Sequence, residues 1–309
     1  MSIDSRSLNI KKSAPNCAGS HRFILSDLVP SPIQSIPYFC GHPFPFCIVT
    51  VTYLQLFIVC VGAFCAGFID AIVGGGGLVQ TPLVLMTFPT YPVASLLGTT
   101  KIPSFSGTAV SLYHYAKRVT IDWKLVGWIA VTAFASSMLG SRMVSLLRND
   151  TIKPVILVIL IFVAIYTYSK KNFGQHQERD ISFKQALLRG IISGLVIGFY
   201  DGFIGPGTGS FLVLVFIGWL GNDFLHASAH AKTVNLATNI ASIVYFAATG
   251  HIIYEVALPM AAFNMLGGFT GSKLALLKGN RFIRIFFLLV VGGTILRFAW
   301  DIFFKHSFF

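Results

Sequence analysis

Charge is what this chain has least of. Asp, Glu, Lys and Arg make up only 11% of its 309 residues, and acidic groups number 11 against 23 Lys and Arg. Soluble domains carry about 25% charge. A chain this poor in charge cannot cover its exterior with polar groups, so its outside must face lipid. The 54% apolar content and mean hydropathy of +0.73 agree. Cysteine is also sparse. Cys17, Cys40, Cys47, Cys60 and Cys65 show no metal-ligand spacing and are expected to be unpaired. Several catalytic signatures are missing: no nucleophile elbow, no Walker loop, no metal-hydrolase motif and no dinucleotide fingerprint. Gly74 to Gly77 lacks the Gly-Lys-Ser/Thr ending of a P-loop. These absences predict that the protein is not an enzyme and holds no cofactor or metal. The net charge of +12 does not indicate nucleic acid, because the basic residues sit mostly in short segments between apolar runs, as membrane-flanking charges do.

What is present is a series of long apolar runs. A bilayer crossing takes about 20 residues, and runs of that order lie near 50–73, 93–116, 125–145, 151–169, 186–204, 225–248, 252–273 and 282–304. Two shorter apolar pieces, 78–88 and 209–220, follow glycine-rich breaks and read as half-helices. The expectation is an all-α membrane protein of about eight transmembrane helices, in two homologous four-helix repeats with glycine-broken half-helices. Residues 1–48 read as a flexible N-terminal extension, because no run there has the form of a signal-peptide core with a cleavage site. Repeat 1 then covers 49–170, a polar linker 171–183 and repeat 2 184–305. An even number of spans per repeat gives parallel repeats and an odd number inverted ones; consecutive loops are all basic, so the positive-inside rule leaves orientation open.

The repeat is written most plainly at two breaks. Gly67-Phe-Ile-Asp-Ala-Ile-Val-Gly-Gly-Gly-Gly is matched 131 residues later (198 against 67) by Gly198-Phe-Tyr-Asp-Gly-Phe-Ile-Gly-Pro-Gly-Thr-Gly. At the same offset Leu83-Val84 meets Leu214-Val215, Lys101 meets Lys232, Ser111 meets Ser242, Gly140-Ser141 meets Gly271-Ser272 and Arg142 meets Lys273. An ionisable group beside broken helix in an apolar segment marks function. Broken segments at matching positions in two halves point to a transporter's binding site.

The candidate site residues follow from these positions. Gly74, Gly76, Gly205, Gly207 and Thr208 lie in the breaks, where the next half-helix begins with free N–H donors and a partial positive charge, an end suited to anions. Close packing through small residues is the alternative reading. Lys101 and Lys232 lie within spans; each either faces the bundle interior or snorkels to an interface, and their pairing favours the interior. Ser104 and Thr108, and Asn235 and Asn239, follow them at helical spacing, placed to donate to an oxyanion or to bond between helices. Asp70 and Asp201 precede the breaks and are assigned to coupling or to a salt bridge. Of the two, Asp201 is expected to couple and Asp70 to hold the structural salt bridge, since Gly202 and Pro206 make the second break more open to rearrangement. His226 and His230 have a metal-compatible spacing, but their equivalents are Ser95 and Thr99 and no third ligand is evident.

On these residues, together with Ala229-His-Ala-Lys-Thr-Val-Asn-Leu-Ala-Thr-Asn-Ile, the chain resembles the TauE/SafE family of membrane permeases, closest to its YfcA-like branch. The likeness covers about 49–305. It implies a multi-pass protein of the bacterial inner membrane, acting on sulfite, a sulfonate or a related organic anion. It also maps the family's glycines and lysine to Gly74, Gly76, Lys101, Gly205, Gly207 and Lys232. Two features depart from the family pattern: the N-terminal extension, and Thr100 in place of the Asn common before the first lysine. The reading is a secondary transporter for a small anion, with the lipid bilayer as its surroundings and no nucleic-acid partner. A passive anion channel and a non-transporting membrane subunit are the alternatives.

Overall fold

A computed structural model describes residues 51–147 and 182–304. The N-terminal extension, the run near 151–169 and nearly all of the polar linker lie outside the described residues. The described chain is helical, with no strand. Its helices are α1 (Tyr53–Val73), α2 (Gly77–Thr87), α3 (Val93–Ala116), α4 (Trp123–Leu146), α5 (Phe183–Phe203), α6 (Thr208–Gly218), α7 (Phe224–Ala248) and α8 (Tyr254–Phe304). The helix starts follow local chemistry. Thr52 and Gln55 form a reciprocal capping box at α1, and Asp122 and Asp223 accept from the first free amides of α4 and α7.

Three helices, α1, α4 and α5, have the length and apolar composition of a membrane span, and α2 and α6 are short apolar helices. The two half-helix expectations are met within two residues at each end. One expectation fails. Separate spans were expected at 252–273 and 282–304, but α8 runs unbroken for 51 residues. At 1.5 Å per residue it is roughly 77 Å long, more than twice the hydrocarbon thickness of about 30 Å. The stretch between the two runs, 274–281, ends in Lys278-Gly279-Asn280-Arg281 and contains no proline. A lone glycine costs a helix only about 1 kcal/mol, too little to stop one flanked by long apolar stretches.

Packing turns a soluble protein's pattern inside out. Large apolar side chains lie exposed along α1 (Leu54, Phe57, Val61), α4 (Trp128, Val131, Leu139) and α5 (Leu188, Val196), while Ser, Thr, Asn, Gln, Lys and Asp side chains are buried between helices. An apolar surface of this extent marks contact with lipid. The packing is crossed: α1 runs against α8, and α5 against α4, with α3 and α7 in contact between them. Small residues make this approach possible. A β-carbon on Gly271 of α8 would strike the Phe68 carbonyl of α1, and one on Gly140 of α4 the Phe199 carbonyl of α5. Both pairs stand in the same 131-residue register. Serines tie the seams: Ser137 and Ser141 of α4 each lie 3.0 Å from Ser242 of α7, and Ser111 of α3 bonds the Gly268 carbonyl of α8 at 3.3 Å.

Candidate functional site

The site is built where α1 and α5 stop. In hydrocarbon the last carbonyls of a helix must find donors from within the protein. Gly74, at φ 77°, turns the chain out of α1 and its amide bonds the Asp70 carbonyl at 2.8 Å. That carbonyl also accepts from Lys232 Nζ at 2.9 Å. The Ala71 carbonyl takes the Tyr115 hydroxyl at 3.1 Å, and the Val73 carbonyl takes Ser210 Oγ at 3.2 Å. The end of α5 is completed in the same way. The Asp201 carbonyl accepts from Lys101 Nζ at 2.5 Å, and the Gly202 carbonyl from Ser141 Oγ at 3.2 Å. Lys101 of α3 thus serves the end of α5, and Lys232 of α7 the end of α1. Both lysines are buried, at 5% and 2% exposure, so neither snorkels to a surface.

The two breaks touch. A β-carbon on Gly74 would meet the Gly209 backbone, and one on Gly77 would stand 3.1 Å from Pro206 Cα. Gly77 and Thr208 are the first residues of α2 and α6, so the N-terminal ends of both short helices face the same point. The expectation that all of Gly74–Gly77 and Gly205–Gly209 is non-helical is corrected accordingly: Gly77, Thr208 and Gly209 already belong to the short helices.

Around this point lies one polar cavity of about 30 Å³, room for about two waters. Ten of the predicted residues line it: Asp70, Gly74, Lys101, Ser104, Asp201, Gly205, Gly207, Thr208, Asn235 and Asn239. Three stand behind the wall. Gly76 caps α2, Thr108 donates to Asp70 Oδ2 at 3.1 Å, and Lys232 holds the Asp70 carbonyl. Thr81 and Ile204 also line the cavity, as do Thr100 and Gly77 beside predicted neighbours. Thr81 was missed although it stands one helical turn after Gly77; a lone threonine in an apolar piece carries no signal. A buried chain behind it was missed too: Asn264 Nδ2 donates to Gln80 Oε1 at 2.9 Å, and Gln80 Nε2 to the Thr100 carbonyl at 3.0 Å.

The ion pair is not where it was expected. Lys101 Nζ lies 3.0 Å from Asp201 Oδ2, with both side chains almost fully buried. Asp70, the expected salt-bridge partner, gives its carboxylate to Thr108 and the Gly76 amide instead. The cause is the residue one register behind. Thr108 reaches Asp70, whereas its counterpart Asn239 turns its amide back to the Asn235 carbonyl at 2.8 Å, leaving Asp201 to the lysine.

His226 and His230 join two loops and do not converge on one point. His226 Nδ1 pairs with Asp223 Oδ2 at 2.7 Å, and the His230 ring lies between Asn222 and the Asp122 amide. Among the described residues no three metal-ligating side chains cluster.

Comparison with known proteins places the chain. The family model described as sulfite exporter TauE/SafE matches residues 59–298. A probable membrane transporter protein of Haemophilus influenzae is 33% identical over 232 residues, covering 75% of this chain and 89% of the relative. The probable membrane transporter protein YfcA of Escherichia coli is 33% identical over 231 residues, covering 74% and 83%. A probable membrane transporter protein of Sinorhizobium is 32% identical over 241 residues, covering 78% and 91%. No solved structure matches the chain significantly. With its apolar exterior and its polar cavity between broken helices, the chain belongs to the TauE/SafE family and is a multi-pass membrane protein of transporter type.

Proposed function

We propose that the protein is a secondary permease for a small anion such as sulfite or a sulfonate, working in a bacterial inner membrane as two four-helix repeats around a shared site. The observation that carries this is the cavity itself. It gathers the amino ends of α2 and α6, the Lys101 ammonium and the Ser104, Thr208, Asn235 and Asn239 side chains, beside the Asp70 and Asp201 carboxylates, in one partly enclosed place. Hydrogen-bond donors and a cation out of water favour an anion. The two-repeat reading draws its support from helix starts that recur at 131 residues (77 and 208, 93 and 224, 123 and 254) and from the crossed lysine contacts.

The cavity's size supports a moving transporter over an open channel. Water-sized space does not admit a polyatomic oxyanion unless a wall shifts. The wall suited to shift is the contact between the two glycine breaks, where backbone meets backbone and Ser210 alone is seen to bond across, to the Val73 carbonyl. Rocking of one repeat against the other there would open the site to either side in turn.

The test is flux of radiolabelled sulfite, and separately of a radiolabelled sulfonate, in proteoliposomes of the purified protein. Saturable uptake that fails in Asn235→Leu and Ser104→Leu, both on the cavity wall, is expected. Saturable uptake unchanged in both variants sinks this site.

A further inference from the structure

Three buried charges, Lys101, Lys232 and Asp201, and the half-buried Asp70 surround the cavity, and they balance. Lys101 and Lys232 offset Asp70 and Asp201, so the empty site is formally neutral. A monovalent anion entering it leaves one uncompensated negative charge in a water-poor interior, and such a charge is costly. One proton taken from solution restores the balance. The two aspartates are not equal candidates to receive it.

Asp201 is held by a direct contact with an ammonium group, 3.0 Å from Oδ2, and the same ammonium also grips its carbonyl. Protonating it would break the pair and strand Lys101. Asp70 has no cation on its carboxylate. Thr108 of α3 donates to Oδ2, and the Gly76 amide at the start of α2 supplies a second donor. The other charged or titratable groups facing it are Lys232 of α7, bonded to its carbonyl and not its carboxylate, Tyr115 of α3, whose hydroxyl serves Ala71, and Lys101 and Asp201 across the cavity. From α8, packed along α1, the uncharged Asn264 lies against Gly67, one turn before Asp70. Asp70 also lines the cavity, so a proton on it and an anion at the helix ends share one space.

We propose that Asp70 is the proton carrier of the transport cycle and Asp201 the fixed counter-ion. In the loaded state a proton from one side of the membrane adds to an Asp70 carboxylate oxygen, giving the neutral acid, while the anion sits against the ends of α2 and α6 near Lys101. On the other side the anion leaves and Asp70 returns the proton, so each monovalent anion crosses with one H⁺ and no net charge. Thr108, whose hydroxyl can turn from donor to acceptor, holds Asp70 in place in both forms.

This inference rests on the anion-permease reading but is tested apart from it. Infrared difference spectra of the purified protein, recorded across a pH titration, are expected to show a protonated-carboxyl band that appears on acidification. The band should vanish in Asp70→Asn and persist in Asp201→Asn. A band that persists in Asp70→Asn, or none in the wild type, overturns the assignment. Should Asp70→Asn give no folded protein, Thr108→Val must move the band's frequency; an unmoved band overturns it equally. In proteoliposomes, Asp70→Asn should lose sulfite accumulation driven by a pH gradient while keeping sulfite exchange between equally loaded sides. Gradient-driven accumulation at the wild-type level in Asp70→Asn overturns the coupling role. If no tested anion moves while the Asp70 band titrates, the permease reading fails and the protonation assignment stands.

Discussion

Lys101 and Lys232 occupy matching positions in the two halves, and their contacts match at one atom and part at the next. Each ammonium bonds the carbonyl of the aspartate that ends the opposite half's broken helix. Only Lys101 also reaches the carboxylate. The backbone contact is common to both lysines, because both helix ends need a donor in hydrocarbon. The side-chain contact belongs to the residues behind it, Thr108 in one half and Asn239 in the other. Matching positions can therefore share a backbone contact while only one of them also holds a carboxylate in an ion pair.

The largest expected effect breaks this comparison at the lysines. Lys101→Ala leaves the Asp201 carboxylate buried without its partner, a change that costs about 3–5 kcal/mol where one member of a buried pair is removed. Lys232→Ala takes a donor from a carbonyl that still has the Gly74 amide, a loss of about 1 kcal/mol, together with the weaker attraction of a cation that does not touch the Asp70 carboxylate. The yield of monodisperse protein and its thermal unfolding midpoint should fall far more for Lys101→Ala. Equal losses in the two variants would mean that the ion pair adds nothing beyond the carbonyl contact.

A smaller difference is expected at the two turns. Gly74 and Gly205 have φ of 77° and 92°, a region that costs a non-glycine residue about 1–3 kcal/mol. Their surroundings differ. A β-carbon at Gly74 collides with the Gly209 and Ser210 backbone, whereas one at Gly205 comes within 2.9 Å of Lys101 Nζ, the movable end of a side chain. Gly74→Ala should cost more folded protein. Gly205→Ala should fold better but disturb the Lys101–Asp201 pair, and so reduce uptake more than yield. Gly127→Ala, with nothing within 4 Å of the added carbon, is the control and should leave both unchanged.

Much of this was legible in the sequence because rare residues carried it. Glycine runs, two aspartates and two lysines stand out in an apolar chain, and their common offset located the breaks, the short helices and most of the cavity wall. What was not legible was which atoms meet. The choice of Asp201 over Asp70 for the ion pair turns on whether Thr108 and the amide of Asn239 point across to a neighbouring helix or back along their own, and no spacing rule gives that. Gln80 and Asn264 went unseen because they pair across 184 residues outside the repeat register: the counterpart of Gln80 is Phe211 and that of Asn264 is Ala133. The two apolar runs 252–273 and 282–304 read as separate spans, yet nothing between them is a proline, the residue that removes a helix donor outright, and α8 continues through.

The serine seams sharpen the comparison at lower energy. Ser242 of α7 meets two serines of α4, while its counterpart Ser111 of α3 meets only backbone carbonyls, those of Gly107 and Gly268. Interhelical hydrogen bonds inside membranes average about 0.6 kcal/mol. Ser242→Ala should lower the unfolding midpoint slightly more than Ser111→Ala, because it leaves Ser137 and Ser141 each short of a partner. Equal shifts would show that the side-chain network adds nothing to the backbone bonds.

The smallest effect lies at a solvent-accessible helix start, since the matching helices α3 and α7 begin differently. Pro92 precedes α3 without a side-chain cap, whereas Asp223 caps α7, accepting from the Leu225 and His226 amides at 2.8 and 2.9 Å. Burial alone would push the Asp223 carboxyl up. The His226 amide and ring and the Leu225 amide outweigh it, and hold the carboxyl below its ordinary value of 3.8. A depressed folded-state value means that the unfolded chain binds the proton more readily. The stabilisation is therefore complete above that ordinary value and lost as pH falls through the folded one. An N-cap is worth about 1 kcal/mol, and partial exposure of this one reduces its charge-dependent share. Thermal unfolding midpoints of wild type and Asp223→Asn should differ slightly at neutral pH and converge below about pH 4, since asparagine caps without titrating. A difference that stays constant through that range would show that the charge of Asp223 contributes nothing and that its oxygen alone holds the start of α7.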